Sequence, residues 1–163
     1  MNWNFSTWED EMKKLFALPL LAALIVYAPV PAQAESDNGS YSTVVEGSFD
    51  DVAFAVEQAI INEGLVIDLR SHVGNMLNRT KEDVGGAADL FLHADVFSFC
   101  SATLSRAAME ADLANLQFCP YGIFVYEAAD TPGEVTLGHR LYPGESMAPV
   151  NELLTRLVDT AAE

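Results

Sequence analysis

The chain is short of basic residues. Among its 163 residues, 24 are aspartate or glutamate and only 8 are lysine or arginine, which gives a net charge of −16. Three of the acidic and two of the basic residues precede residue 35, so the rest of the chain carries 21 against 6, or −15. Such a surface repels phosphate backbones and anionic lipid. We therefore expect no nucleic-acid partner. The charge is typical of a soluble surface, and recruitment of a cationic partner is the alternative.

Catalytic signatures are also missing. The sequence contains no G-x-S-x-G, no P-loop, no G-x-G-x-x-G and no H-E-x-x-H pattern, so it shows none of the chemistry that those motifs serve. No pair of carboxylates stands at a catalytic spacing. Asp50 and Asp51 suit the first turn of a helix, and Glu110 and Asp112 fall on different helix faces. We expect a binding protein for an unidentified protein or small molecule, and no enzyme.

No apolar run reaches the length of about 20 residues that a membrane span requires. The longest uninterrupted one, residues 20–28, is bracketed by prolines. It follows Met12-Lys-Lys and precedes an Ala-x-Ala site ending at Ala34, the order of a cleavable signal peptide. We expect a signal peptide over residues 1–34, export to the bacterial periplasm and no membrane anchor after cleavage. Translation is expected to start at Met12, because residues 9–11 are all acidic.

The remaining chain predicts one domain. Residues 35–40 are small and polar and are expected to form a flexible tether, and residues 41–163 the domain. Strand patterns cover residues 41–46, 65–69, 95–100, 115–127 and 135–141, and helix patterns cover residues 49–63, 72–79, 101–112 and 147–161. The order β-α-β-α-β-α-β-β-α favours an α+β fold, a mostly antiparallel sheet with helices packed on one face.

Several segments resemble a known family. They are residues 94–102 (ADVFSFCSA), 109–112 (MEAD), 118–127 (FCPYGIFVYE) and 71–80 (SHVGNMLNRT). Together they are similar to the domain-of-unknown-function family 302, in its exported proteobacterial branch. The resemblance runs from about Tyr41 to the C-terminus and departs at Leu113, where the family has proline. It implies a compact α+β domain, with a homodimer as an option, and it implies no activity. The two family cysteines map onto Cys100 and Cys119.

Only two cysteines are present, Cys100 and Cys119. In an exported protein such a pair can form a structural disulfide, stay as buried thiols, or serve redox or metal chemistry. A helix over residues 101–112 would carry the chain about 18 Å away, whereas a disulfide needs Cα atoms within about 7 Å. A bridge becomes possible if residues 113–118 run back extended. Cys100 also precedes a helix N-terminus, which lowers a thiol pKa and suits a reactive thiolate.

Other candidate groups are histidines and aromatic side chains. His93, Cys100 and Cys119 could together hold Cu or Zn if the pair serves metal chemistry. His139 shares its strand face with apolar residues, so we expect a core or edge residue there rather than a ligand. A set of aromatic residues predicts an aromatic core, with a pocket for an apolar ligand or a haem as the alternative. These residues are Phe91, Phe97, Phe99, Phe118, Tyr121 and Phe124.

Overall fold

The computed structural model describes residues 39–163, so the predicted signal peptide over residues 1–34 and most of the tether lie outside the described residues. Over this range the chain forms one five-stranded antiparallel sheet with the strand order β1-β5-β4-β3-β2. The strands are β1 (Ser40–Glu46), β2 (Ile67–Ser71), β3 (Phe91–Phe99), β4 (Tyr121–Ala128) and β5 (Glu134–Arg140).

Four α-helices complete the domain: α1 (Phe49–Asn62), α2 (Val73–Thr80), α3 (Ala102–Ala111) and α4 (Ala148–Ala161). Short 3₁₀ helices cover Leu113–Phe118 and Glu145–Met147. The predicted α+β class and the order of elements are confirmed. None of the helices within residues 39–163 is both long and apolar enough to cross a membrane.

Helices α1 and α4 cover one face of the sheet, which we call the inner face. Both helices begin and face inward as their sequences predict. Ser48 caps α1 by accepting a 3.2 Å hydrogen bond from the Asp51 amide, and Asp51 lies in the first turn. Strand residues of the inner face are fully buried against the apolar stripes of the two helices. They include Phe97, Phe99, Ile123, Val125, Val135 and Leu137.

Helix α2 closes the edge of β3 where the short strand β2 has ended. Gly74 is buried, and a Cβ atom there would come within 2.7 Å of the Ala94 amide nitrogen. The helix can therefore lie this close to the strand only because residue 74 has no side chain. Asn78 donates a 3.2 Å hydrogen bond to the Phe91 carbonyl. This contact satisfies a polar group that a free sheet edge would expose.

Three segments differ from the sequence prediction. Strand β3 begins four residues before the predicted residue 95, and β2 begins two residues after the predicted residue 65. The strand predicted over residues 115–127 begins only at Tyr121, because residues 113–118 form a 3₁₀ helix. Asp112 caps it through a 2.9 Å hydrogen bond from the Ala114 amide. Aspartate at such a position favours a local turn over a strand, because its carboxylate can bond the backbone two residues on.

Candidate binding site beside the disulfide

Cys100 and Cys119 form a disulfide, with their Cα atoms 6.5 Å apart. Cys100 ends β3 and precedes Ser101, which caps α3 by accepting a hydrogen bond from the Leu104 amide. Cys119 follows the 3₁₀ helix and is joined by a cis peptide bond to Pro120. Of the three options that the sequence leaves open for the cysteines, the structure contains the disulfide. The chain returns to Cys100 through a 3₁₀ turn rather than through the extended segment that the sequence argument required.

The disulfide fixes the segment that precedes β4. The Ser105 hydroxyl lies 3.8 Å from the sulfur of Cys119 and 2.9 Å from the hydroxyl of Tyr121. Asn115, at the centre of the 3₁₀ helix, is buried and donates a 2.8 Å hydrogen bond to the Ala108 carbonyl. Covalent and polar contacts thus hold residues 113–120 against the end of α3.

The second face of the sheet is called the outer face, and among the described helices α2 contacts it at Ala94 of β3. Side chains alternate between the faces along each strand, so Val96, Phe124 and Gly138 form a cross-strand row on this face. Val44, at the far edge, is 45% exposed. Gly138 gives room to Phe124, because a Cβ atom at residue 138 would lie 2.7 Å from the Phe124 ring. The aromatic ring therefore lies over the backbone of β5.

A groove of about 320 Å³, here called the polar groove, lies on the outer face next to the disulfide. The 117–120 segment that the disulfide anchors forms one wall, and strand residues form the floor. None of the residues that line it is acidic. The residues that define it are Ser98, Gln117, Phe118, Gly122, Arg140 and Tyr142.

A second groove of about 320 Å³, here called the apolar groove, adjoins the first at Val96 and Phe124. Aromatic rings run along it: Phe124 stacks on Tyr126 at 6.1 Å between ring centroids, and Tyr126 meets the edge of Phe91 at 5.4 Å. The two grooves together are called the trough. Four residues of β4 separate Gly122 from Tyr126, so the trough extends about 13 Å along this strand.

Arg140 stands at the end of the polar groove as an exposed cation that has no acidic partner within residues 39–163. Within residues 39–163, four of the six basic side chains form ion pairs, and Arg140 is one of the two that do not. Nearby, burial raises the pKa of Tyr142 above its ordinary value. The Tyr142 hydroxyl stays protonated well above neutral pH, and the groove offers this neutral hydroxyl beside the positive charge of Arg140.

The comparisons with known proteins concern the fold. No protein-family model matches the chain, and no curated protein matches it. A solved structure, the crystal structure of the uncharacterized conserved protein DUF302 from Bacillus stearothermophilus, superposes with a TM-score of 0.62. The alignment covers 76% of this chain and 98% of that chain. The domain has the DUF302 fold. At 16% sequence identity the likeness shows the fold alone.

Within this DUF302 fold the predicted metal ligand His93 is not brought to the cysteines. Its ring stacks on Phe49 with 4.9 Å between centroids. Six residues of extended strand, about 20 Å, separate His93 from Phe99, which precedes Cys100. Among residues 39–163 no cluster of three or more histidine, cysteine or acidic side chains could hold a metal ion.

His139 is fully buried, as its strand position predicts. Its Nδ1 lies 2.9 Å from the Arg140 carbonyl and its Nε2 lies 3.0 Å from the Thr155 hydroxyl, so both ring nitrogens are satisfied. Burial lowers the pKa of His139 below 6.5, although the carbonyl of Arg140 and the charge of Asp159 oppose this. His139 is a core residue of this DUF302 fold and takes no part in the trough.

One polar cluster was missed by the sequence analysis. Asp95 is buried on β3 and accepts hydrogen bonds from Arg70 Nε at 2.7 Å and from His72 Nδ1 at 2.9 Å. The Arg70 guanidinium also lies 4.8 Å from the centre of the Phe97 ring. The cluster ties the edge strand β2 and the start of α2 to β3. Asp95 stands two residues before the inward-facing Phe97, and a charged residue at this inward position of β3 was the available signal.

Proposed function

We propose that this chain belongs to the exported proteobacterial branch of DUF302 and is a periplasmic, non-enzymatic protein that binds a small molecule in the trough. Two features support export: the order of basic, apolar and Ala-x-Ala segments over residues 12–34, and the Cys100–Cys119 disulfide. Disulfides persist in oxidising compartments and are rare in the reducing cytoplasm.

The trough carries the binding part of the proposal. It is concave, it combines aromatic walls with a few polar groups, and a disulfide holds one of its walls in place. Sites for small ligands commonly have this composition. The half-buried rings of Phe91, Phe118 and Phe124 line the trough, whereas Phe97 and Phe99 are fully buried in the core. The aromatic set that the sequence assigned to the core is therefore divided between core and trough.

Occupancy of the trough is testable with the neutral apolar fluorophore N-phenyl-1-naphthylamine. We expect saturable binding to the oxidised protein, with one site per chain. In the variant Gly122→Leu binding should be lost, because the new side chain would fill the polar groove. A Cβ atom at residue 122 meets Val96 at 3.5 Å, an ordinary contact, so the variant is expected to fold.

The control for this experiment is Leu113→Gln. Leu113 is 82% exposed and lies outside both grooves. Its replacement removes an exposed apolar side chain without touching the trough, and binding should be unchanged. If Gly122→Leu binds the fluorophore as well as the original protein does, the trough is not the site and the proposal fails.

Export is tested separately. Cells expressing the chain from Met1 or from Met12 are fractionated, and the N-terminus of the released protein is sequenced. We expect release from the periplasm with Glu35 as the first residue, and at least equal export from Met12. Retention in the cytoplasm of both forms would contradict the export part of the proposal.

A thiol-dependent redox or metal-handling role is the second candidate. The observation in its favour is that Cys100 borders the N-terminus of α3 while the hydroxyl of Ser105 lies 3.8 Å from the sulfur of Cys119. Equilibration with glutathione buffers separates the two functions. A disulfide reduced by the glutathione pool would favour redox exchange, whereas a structural one resists it, with a potential below about −300 mV. Copper, zinc and haem content measured on the purified protein tests the metal or haem form of this candidate.

A further inference from the structure

We infer that the ligand of the trough is an amphiphilic carboxylate, with its anionic group at Arg140 and its apolar chain along Phe124, Tyr126 and Phe91. The inference rests on the proposed function, since it names the chemical class of the molecule that the trough binds. Two independent features of the trough carry it: the charge at one end and the surface at the other.

The charge at Arg140 is unusual for this protein. Acidic residues outnumber basic ones by 21 to 6 after residue 34, and an arginine on such a surface readily finds a carboxylate. Arg70, Arg106, Arg156 and Lys81 have done so. Within the described part of the chain Arg140 has not, and none of the residues that line the polar groove it borders is acidic. A guanidinium in this situation can form paired hydrogen bonds with a carboxylate of a ligand.

Neutral donors and acceptors surround this end of the trough. Ser98, Gln117 and Tyr142 line the same groove as Arg140. They can complete the hydrogen bonds of a ligand carboxylate without adding charge. Gly122 leaves the floor between them open. An anionic group therefore finds one positive charge and several neutral partners, which matches a monoanion better than a phosphate with two charges.

The other end of the trough is almost entirely apolar. Val73, Ala94, Val96 and the three aromatic rings form its surface. Asp95 is the acidic residue among those that line it, and Arg70 and His72 already engage its carboxylate. This half has no free charge to bind a second polar group of the ligand. Burial of an alkyl chain or an aromatic ring against it is favourable because water is released from both surfaces.

The experiment measures displacement of N-phenyl-1-naphthylamine from the oxidised protein by four competitors: decanoate, decanol, decyltrimethylammonium and butyrate. We expect decanoate to displace the fluorophore at the lowest concentration. Decanol should be weaker by roughly ten-fold, the scale of a hydrogen bond to a charged group. Decyltrimethylammonium should be weaker still, because Arg140 repels it. Butyrate should barely compete, since each buried methylene strengthens binding about four-fold, equivalent to ~0.8 kcal/mol.

Variants of Arg140 test whether its charge is what favours the carboxylate over the alcohol. Arg140→Gln should weaken decanoate by about ten-fold and leave decanol unchanged. Arg140→Lys should recover part of the affinity, because the charge is kept and the paired geometry is lost. The matched control is Arg79→Gln. Arg79 is the other basic side chain that forms no ion pair in the described part of the chain, and it lies outside the trough. Its replacement should leave all four competitors unchanged.

The outcomes separate the inference from the proposed function. If decanol and decanoate compete equally and Arg140→Gln changes neither, the trough binds apolar molecules and the carboxylate inference is overturned. If the fluorophore itself fails to bind, the proposed function fails as well. If the fluorophore signal per chain decreases as the protein concentration is raised, and sedimentation gives a doubled mass, a second copy covers the outer face. That result would overturn both.

Discussion

The hydroxyl of Tyr41, on the first strand, lies 2.6 Å from a carboxylate oxygen of Asp159 and donates a hydrogen bond to it. The two residues are 118 positions apart in the sequence, so this contact joins the edge strand β1 to the C-terminal helix α4. The hydrogen bond and, to a smaller extent, burial raise the pKa of Tyr41 to about 12.

Tyr41→Phe is expected to lower the free energy of unfolding by about 1 kcal/mol at neutral pH, because one hydrogen bond is lost. Because the pKa of Tyr41 is higher in the folded state, its ionisation equilibrium contributes stability that is fully present below the unfolded pKa of 10. This stability is lost as the pH rises towards 12. The original protein should therefore lose more stability than Tyr41→Phe across this window. Urea unfolding of both proteins on either side of pH 10 checks this, and parallel pH profiles would contradict it.

Because His139 is buried with a lowered pKa, we expect the domain to lose stability in acid. Its pKa is lowered in the folded state, so the unfolded chain binds the proton more readily as the pH falls below 6.5. The stability that neutral His139 contributes is present above 6.5 and decreases below it. His139→Gln removes this titration and should show a flatter pH dependence of the urea midpoint between neutral and mildly acidic pH. If the urea midpoint of His139→Gln depends on pH as steeply as that of the original protein, other groups cause the acid sensitivity.

Replacement by alanine is expected to affect stability very differently at two glycines of the outer face. Gly138→Ala should cost about 2–3 kcal/mol, because its Cβ atom would overlap the carbonyl oxygen of Tyr41 and crowd Phe124 and Ser42. Gly122→Ala should be close to neutral, because its Cβ atom makes only ordinary contacts. Denaturant unfolding of the two variants provides the comparison. Equal destabilisation would show that the face is not packed as described.

Removal of the disulfide by Cys100→Ala together with Cys119→Ala is expected to cost about 3 kcal/mol, from the loop of 19 residues that the bond closes. The native protein should show no reactive thiol in denaturant alone and two thiols after reduction. Thiol titration and guanidinium unfolding make both measurements. A thiol that reacts without reductant would indicate that the pair is open in the isolated protein.

Asp95→Asn should destabilise the domain by about 2 kcal/mol, because Arg70 and His72 lose the charge that they share. Asp68→Asn is the matched control. Asp68 is exposed on the neighbouring strand β2, and its replacement should stay within about 0.5 kcal/mol. Thermal or urea unfolding distinguishes the two. A similar small effect for both variants would mean that the buried cluster contributes little.

Local signals in the sequence were sufficient for most of the fold. Ser48 followed by Asp51 and the spacing of Val52 and Val56 define α1 from adjacent residues alone. The turn at residues 130–133 defines the hairpin of β4 and β5 in the same way. Residues 115–118 were mistaken for the start of a strand, because polar and apolar side chains alternate there and the cap supplied by Asp112 was not weighed.

The trough could be predicted only in part, because its residues come from separate strands. Phe124 stands at the opposite strand parity from Ile123 and Val125, and this alternation alone indicates that it faces away from the core. The neighbourhood of Arg140, Ser98 and Gln117 depends on strand order and on the return of the chain at the disulfide. Neither is visible in a single sequence.

One wall of the trough consists of residues held by a bond that forms only under oxidising conditions. For an exported chain the trough is therefore completed after synthesis, outside the compartment in which the polypeptide is made. Molecules of the cytoplasm would meet a protein whose 117–120 segment lacks its covalent link to the end of β3. Oxidation would act as a maturation step for this wall of the trough.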